Sequence, residues 1–276
     1  MRTERAGAWL RQGGTMHRIA AVAVPLALAA LLAASASAQV KPDADGAFNA
    51  GLAHLKDGRP AMALEEFRKA VKVDPKNALY YKGLAVAYAQ LADLCADEGC
   101  RQDKLKESIA AARKGLELNP LYVDIHNDLG TALLKSGRRD EGKRELMTAF
   151  NDATNPTPEV TSRNLGQANF EERNYADAIN WFRTSIARNK AYPDPYLGLA
   201  DSLVATGRQD EALLALEAGV KEVPAHPALL LALGEAYKRA GRLNDARARL
   251  EEAARKDPTG AAGRRAQELL KGIPSR

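Results

Sequence analysis

The two cysteines of the chain, Cys95 and Cys100, have the spacing that most directly suggests chemistry. Four residues separate them, among them Gly99, whereas a redox-catalytic pair usually has two intervening residues. No histidine is near them in the sequence, which disfavours a metal site. In an oxidising compartment, an even pair on a loop is best explained by an intrachain disulfide. Two reduced thiols on a helix extension are the alternative.

Other residue types that carry catalysis show no recognisable pattern. Of four histidines, His17 lies near the N-terminus, and His54, His126 and His226 are far apart in the sequence. From residue 39 onwards there is no HExxH, nucleophile elbow, P-loop or glycine-rich dinucleotide motif. The sequence therefore predicts no catalytic residue, no metal site and no cofactor, and we expect a protein that is not an enzyme.

Composition excludes several other classes of protein. With 46% hydrophobic and 27% charged residues, the chain has the balance of a soluble protein that buries a core. Its net charge is +5, but residues 1–38 hold four arginines and one glutamate, which leaves +2 for the remainder. A near-neutral body with 5% aromatic residues lacks the charge and the stacking surfaces of a nucleic-acid binder.

The N-terminal segment has the pattern of a secretory signal. Ile19 to Ala34 form an apolar stretch of sixteen residues, shorter than the roughly 20 that a membrane-spanning helix needs. The small residues Ala36-Ser37-Ala38 follow it. We predict a signal peptide over 1–38, cleaved between Ala38 and Gln39, then a short linker over 39–43. The mature chain would be periplasmic and have no membrane span. An uncleaved signal anchor is the alternative.

The rest of the chain repeats itself, mostly in steps of 34 residues. The predicted units are 44–77, 78–122, 123–158, 159–192, 193–226 and 227–260. In each unit, small residues stand at the positions equivalent to 8, 20 and 27, as two closely crossing helices require. Glycines such as Gly58 and Gly137 mark a turn after the first helix, and prolines such as Pro75 and Pro120 end the second.

This register resembles the tetratricopeptide repeat (TPR) family across residues 44–276. The resemblance implies an all-α fold, a right-handed α-solenoid of six helix pairs with a C-terminal capping helix over 261–272. The second unit carries eleven extra residues, which we expect to form an inserted loop that contains both cysteines.

In TPR proteins that bind ligands in their concave groove, positions 2, 5, 9 and 12 of each first helix point into it. Mapped onto this chain, the resemblance implies a groove lined by Lys82, Asn127, Thr131, Leu134, Arg163, Gln167, Phe170, Asp201 and Glu235. Two cations, Lys82 and Arg163, with Asn127 between them could hold a peptide carboxylate, while Leu134 and Phe170 form an apolar shelf. Alternatively, these are ordinary solvated side chains and the protein binds elsewhere.

Residues 120–200 are more particularly similar to the TPR proteins of type IV pilus assembly, the pilotins that help a secretin assemble in the outer membrane. Asn127-Asp128-Leu129-Gly130 and Asn164-Leu165-Gly166 carry the likeness. Pilotins are typically lipoproteins anchored by a cysteine directly after the signal, whereas Gln39 stands there in this chain. Two functions are thus implied: an exported scaffold that binds a protein or peptide of the cell envelope, or a pilotin-like accessory protein.

Overall fold

The computed structural model describes residues 43–274. The predicted signal peptide, the cleavage between Ala38 and Gln39 and linker residues 39–42 lie outside the described residues. Within 43–274 the chain forms thirteen α-helices and no β-strand. The helices are α1 (Ala44–Lys56), α2 (Pro60–Val73), α3 (Ala78–Asp93), α4 (Glu98–Leu118), α5 (Val123–Lys135), α6 (Arg139–Asn151), α7 (Pro158–Glu171), α8 (Tyr175–Arg188), α9 (Asp194–Ala205), α10 (Gln209–Glu222), α11 (Pro227–Arg239), α12 (Leu243–Lys256) and α13 (Ala261–Lys271).

The helices pack in six pairs, α1 with α2 through α11 with α12, and each pair packs on the next. The first helix of every pair also contacts the first helix of the following pair. Among the described helices, no second helix contacts the second helix of the next pair. The first helices therefore lie closer together and form the inner side of the stack. The predicted all-α solenoid of helix pairs is confirmed.

Small residues stand where helix backbones cross, as their spacing predicted. In the third unit, a Cβ added to Gly130 of α5 would lie 2.9 Å from the carbonyl oxygen of Gly142 in α6. Large rings fill the spaces on either side of such crossings. Phe67 is fully buried, and a Cβ on Gly51 or Gly83 would lie within 3.0 Å of its ring. A larger residue at these positions would clash with backbone or buried ring atoms that cannot shift easily. The small residues therefore set the distance between the helices.

The turn between the two helices of a pair uses a left-handed residue. Gly58, Gly137, Gly207 and Gly241 all have positive φ, which glycine adopts at no steric cost. In the fourth unit the equivalent residue is Arg173, whose φ is 62°. A residue with a Cβ is strained in this region of backbone space.

The predicted inserted loop of the second unit is wrong in its secondary structure. Most of the extra residues are helical: α3 has 16 residues and α4 has 21, against 12 to 14 in the helices of the other pairs. Only residues 94–97 separate them. The Asp97 side chain caps α4 by accepting a hydrogen bond from the Cys100 backbone N–H at 2.8 Å.

Cys95 and Cys100 are joined by a disulfide, as their spacing predicted. The bond connects the short turn after α3 to the first helical turn of α4. At the other end of the stack, α13 packs on α11 and α12 as the predicted cap, with Ala266 fully buried. Arg247 of α12 also donates hydrogen bonds to the carbonyl oxygens of Ile273 and Pro274 beyond α13.

Candidate functional site

The predicted groove residues lie on the first helices of five units, α3, α5, α7, α9 and α11. We call the surface that they form the first-helix face. It comprises Lys82, Asn127, Thr131, Leu134, Arg163, Gln167, Phe170, Asp201 and Glu235. Because successive first helices are in contact, side chains of neighbouring units can meet across this face.

The polar groups of units three and four do meet, through a residue that the groove positions omit. The Asn164 amide nitrogen of α7 lies 3.3 Å from Asn127 Oδ1 and 3.3 Å from Thr131 Oγ1, both on α5. Arg163 in turn donates to Asn164 Oδ1 at 3.3 Å. Asn164 stands at position 6 of its unit. In the sequence, only the motif Asn164-Leu165-Gly166 could have drawn attention to this asparagine.

Each of the two cations expected to hold a ligand carboxylate faces an aspartate of the next unit in the structure. Lys82 Nζ lies 2.5 Å from Oδ2 of Asp124 on α5, and Arg163 Nη2 lies 3.6 Å from Oδ2 of Asp194 on α9. Both aspartates occupy position 2 of the next unit. Each cation therefore joins its own first helix to the following one. A ligand carboxylate would have to compete with a carboxylate of the protein.

Sequence reasoning missed Asp128, an acidic residue close to Lys82. Oδ2 of Asp128 on α5 is buried and accepts no hydrogen bond from any described residue. Burial raises the pKa of Asp128 to about 7, with the Asp124 charge acting in the same direction and the Lys82 ammonium opposing it. Burial lowers the pKa of Lys82, but the hydrogen bond to Asp124 and the two carboxylate charges outweigh it and raise the pKa overall.

The two anions expected at the other end of the face, Asp201 and Glu235, are electrostatically coupled. Partial burial of its carboxyl raises the pKa of Asp201, while the Arg239 charge opposes the shift and the Glu235 charge adds to it. Glu235 Oε1 lies 3.5 Å from Nε of Arg265 on the capping helix. The acidic end of the face is thus partly neutralised by α11 and α13.

Leu134 and Phe170 of the expected apolar shelf and the groove residue Gln167 are half-buried. The rings of Phe170 and Tyr175 pack with their centroids 5.6 Å apart and their planes tilted by 59°, and Leu134 packs over Gly142. Gln167 donates to Glu171 on its own helix at 3.0 Å. These side chains are held by their neighbours, so the shelf is formed by ordered groups on α5 and α7 that remain partly accessible.

Residues 43–274 contain no group of three His, Cys, Asp or Glu side chains placed to hold a metal ion. Among the helices between residues 43 and 274, none combines the length and the hydrophobicity that a membrane-spanning helix needs.

Parts of the chain are similar to a known repeat family and to known proteins. Models of the tetratricopeptide repeat family match residues 44–77, 169–224 and 197–261. The type IV pilus assembly protein PilF of Pseudomonas aeruginosa is 27% identical over 160 residues, which is 58% of this chain and 59% of PilF. The human protein O-mannosyl-transferase TMTC3 is 24% identical over 200 residues, 71% of this chain and 20% of TMTC3. The chain thus spans less than two thirds of either relative.

A solved structure shares the fold over most of this chain. PilW, described as a widely conserved type IV pilus biogenesis factor, superposes with a TM-score of 0.66 at 22% identity. The match covers 85% of this chain and all of PilW. At this level of identity the likeness concerns the fold alone.

Proposed function

Because the chain is a tetratricopeptide repeat protein, we propose that it is a non-catalytic scaffold, exported to the periplasm, that binds a segment of another envelope protein on its first-helix face. The observation that carries the proposal is the polar network across α5 and α7. Asn127, Thr131, Arg163 and Asn164 are held by one another while half-buried on an accessible surface. Groups ordered before binding lose little further entropy when a partner arrives.

The charges of the face define what kind of segment fits it. Lys82 and Arg163 are paired with Asp124 and Asp194, so a bound carboxylate gains only by displacing an existing partner. Side-chain amides and hydroxyls of the network offer both donors and acceptors. The favoured ligand is therefore an extended or helical segment that combines hydrogen-bonding groups with an apolar side chain for Leu134 and Phe170.

A photo-crosslinking residue placed at Gln167 in cells tests this assignment. The matched control is Thr148, which is exposed on α6, a second helix. The proposal expects a discrete crosslinked protein from position 167 and none from 148. Equal yields from both positions would contradict the assignment to the first-helix face. A product from position 148 alone would indicate that the partner binds the second helices.

The captured partner then allows an affinity measurement. Arg163→Ala removes a loosely paired cation from the face and should weaken binding about tenfold, in line with the roughly 1.5 kcal/mol of a hydrogen bond to a charged group. Arg264→Ala on the capping helix is the control and should leave affinity unchanged. The opposite ranking of the two variants would place recognition at the end of the stack.

A second candidate function is a pilotin-like accessory role in type IV pilus and secretin assembly. The similarity to PilF over 160 residues favours it. Deletion of the gene should then lower the amount of heat-resistant secretin multimer in envelope fractions, and the wild-type gene should restore it. Normal multimers in the deletion strain would exclude this role while leaving the scaffold proposal intact.

A further inference from the structure

Asp128 on α5 occupies a position that carries no charge in the other repeats. In those five units the same position holds an amide or a small residue, namely Asn49, Gly83, Asn164, Gly198 and Ala232. In units two and five the glycine is required, since a Cβ there would clash with a phenylalanine ring of the preceding unit. The residue of unit two that is equivalent to these phenylalanines is Ala112, which is fully buried. The smaller side chain leaves space for a carboxyl group between units two and three.

The carboxyl group of Asp128 is incompletely satisfied. Its Oδ2 atom is buried and accepts no hydrogen bond from residues 43–274. A buried oxygen without a donor is unfavourable, and more so when it carries a charge. Burial accordingly raises the pKa of Asp128 to about 7, so this group exchanges a proton with water in the neutral range.

Two charges act on this carboxyl group, one from each side of the contact between α3 and α5. The Lys82 ammonium lowers the pKa of Asp128, and the Asp124 carboxylate, one turn earlier on α5, raises it. Charged side chains on the other helices around α5 form pairs that do not include Asp128, such as Arg113–Glu141, His126–Glu145 and Arg163–Asp194. Among the described residues, Lys82 is therefore the only cation that acts on both carboxyl groups.

In the structure, Lys82 is paired with Asp124 rather than with Asp128. Its Nζ lies 2.5 Å from Asp124 Oδ2 and 5.7 Å from the centre of the Tyr122 ring. An ammonium group on a flexible stem has three donors and can turn between neighbouring acceptors. A turn toward Asp128 would supply the donor that Oδ2 lacks. It would also leave Asp124, which is half-buried on the first-helix face, as an unpaired carboxylate beside an aromatic ring, and both groups attract cations.

We propose that this cluster binds an arginine or lysine side chain of the segment on the first-helix face, in exchange for the proton of Asp128. The ligand cation pairs with Asp124 beside the Tyr122 ring, Lys82 turns to Oδ2 of Asp128, and the proton leaves to water. One positive charge enters as another leaves, so the net charge of the site is unchanged. The inference rests on the proposed function, because it specifies one side chain of the ligand that the first-helix face takes.

The exchange makes binding depend on pH in a defined direction. The bound state favours the ionised form of Asp128, so the pKa of this residue falls on binding. A ligand that lowers the pKa of an acid binds more tightly as pH rises through the pKa of the free protein, here about 7. Affinity for a cationic ligand should therefore be higher at pH 8 than at pH 6.

Peptide titrations of the isolated protein, followed by NMR, test the cation and its link to pH. The probes are acetyl-Leu-Arg amide and acetyl-Leu-citrulline amide, which have nearly the same shape and differ in charge. We expect saturable shifts of backbone amides in residues 79–86 and 122–128. At pH 8 the arginine peptide should bind at least about tenfold more tightly than the citrulline peptide. This preference should be about fivefold smaller at pH 6, which corresponds to a fall of one pKa unit on binding.

Variants then assign the exchange to its residues. Asp128→Asn removes the proton that is released, so the preference for arginine should stay the same at pH 6 and pH 8. Asp124→Asn should abolish the preference at both pH values. His126→Gln removes the neighbouring histidine of α5, and Asp140→Asn removes an exposed acid of α6. Both of these controls should keep the pH dependence of the wild type, and circular dichroism establishes that each variant is folded.

Several results would overturn the proposal: equal affinity for the two peptides at pH 8, no change in preference between the two pH values, or no saturable shifts. A preference that still changes with pH in Asp128→Asn would also do so. None of these results affects the crosslinking test at Gln167, which examines the proposed function independently. Conversely, an absent crosslink together with an intact pH-dependent preference would reject the proposed function and retain the cation site.

Discussion

Lys82 on α3 and Asp124 on α5 form an ion pair that joins the first helices of units two and three, with 2.5 Å between Nζ and Oδ2. Their side chains are 26% and 29% exposed, so the pair is partly removed from water. Arg163 and Asp194 repeat the arrangement between units four and five at 3.6 Å. In both pairs the cation stands at position 5 and the carboxylate at position 2 of the next unit, and the pair contributes to stacking of the repeats.

Lys82→Met should destabilise the protein by about 1 to 3 kcal/mol, because Asp124 and Asp128 would share a partly buried site without a cation. Urea unfolding followed by circular dichroism measures the loss. Arg163→Met is the comparison and should cost less than about 1 kcal/mol, since that pair is longer and more exposed. A larger loss from the arginine variant would contradict this order of the two pairs.

Asp128 should make stability depend on pH in the range between its two pKa values. Its pKa is about 7 in the folded protein, against an ordinary 3.8 for an aspartate. Between these values the folded state holds a proton that the unfolded state has lost. Stability from this residue is therefore present at low pH and declines as pH rises from about 4 to 7.

Asp128→Asn should remove that dependence. We expect the stability of the variant relative to the wild type to rise by roughly 3 kcal/mol from pH 5 to pH 8, because about two units of the shift lie between pH 5 and pH 7 and one pKa unit corresponds to about 1.4 kcal/mol. Urea unfolding at the two pH values provides the comparison. Asp140→Asn, an exposed change on α6, serves as the control. A difference from wild type that is the same at both pH values would disprove a role for Asp128 titration.

Arg173→Gly should stabilise the protein by about 0.5 to 1 kcal/mol. The change relieves a left-handed residue with a Cβ, whose strain of about 1 to 2 kcal/mol is partly offset by the greater unfolded-state freedom of glycine. The reciprocal change, Gly207→Ala, should destabilise the protein by about 1 kcal/mol. A Cβ at position 207 would have no close neighbour, but the positive φ of this residue is unfavourable for alanine. Thermal unfolding of both variants is the test, and a destabilised Arg173→Gly variant would argue against strain at this turn.

Replacement of Cys95 and Cys100 by serine should leave the helical content unchanged. By lowering the entropy of the unfolded chain, a disulfide that closes so short a loop stabilises the folded state by about 2 kcal/mol at most. The helices on both sides pack on each other independently of the bond. Circular dichroism and urea unfolding give both quantities. Global unfolding would instead make the disulfide a requirement of the fold.

The repeat, its helix pairs and its cap could be predicted from the sequence because each depends on local steric demands. Gly130 and Gly142 had to be small since two backbones cross there, and the turn glycines had to accept a positive φ. The secondary structure of the insertion could not be predicted in the same way. It has no counterpart in the other units to reveal its register, and its first helical residues, 98–103, are mostly exposed, so no buried pattern marks them as helix.

The sequence by itself thus determined the order and the period of the helix pairs, because a 34-residue repeat places residues of the same type at equivalent positions of each unit. Which of these positions point into the groove was implied by the resemblance to the tetratricopeptide repeat family. Only the tertiary structure decided what those residues do there. Lys82 faces Asp124 across 42 positions of sequence, and Arg101, Leu134 and Arg139 meet at one cavity from three helices. Charge neutralisation and cavity shape depend on distances between different units, and a repeat pattern read one unit at a time contains no information about those distances.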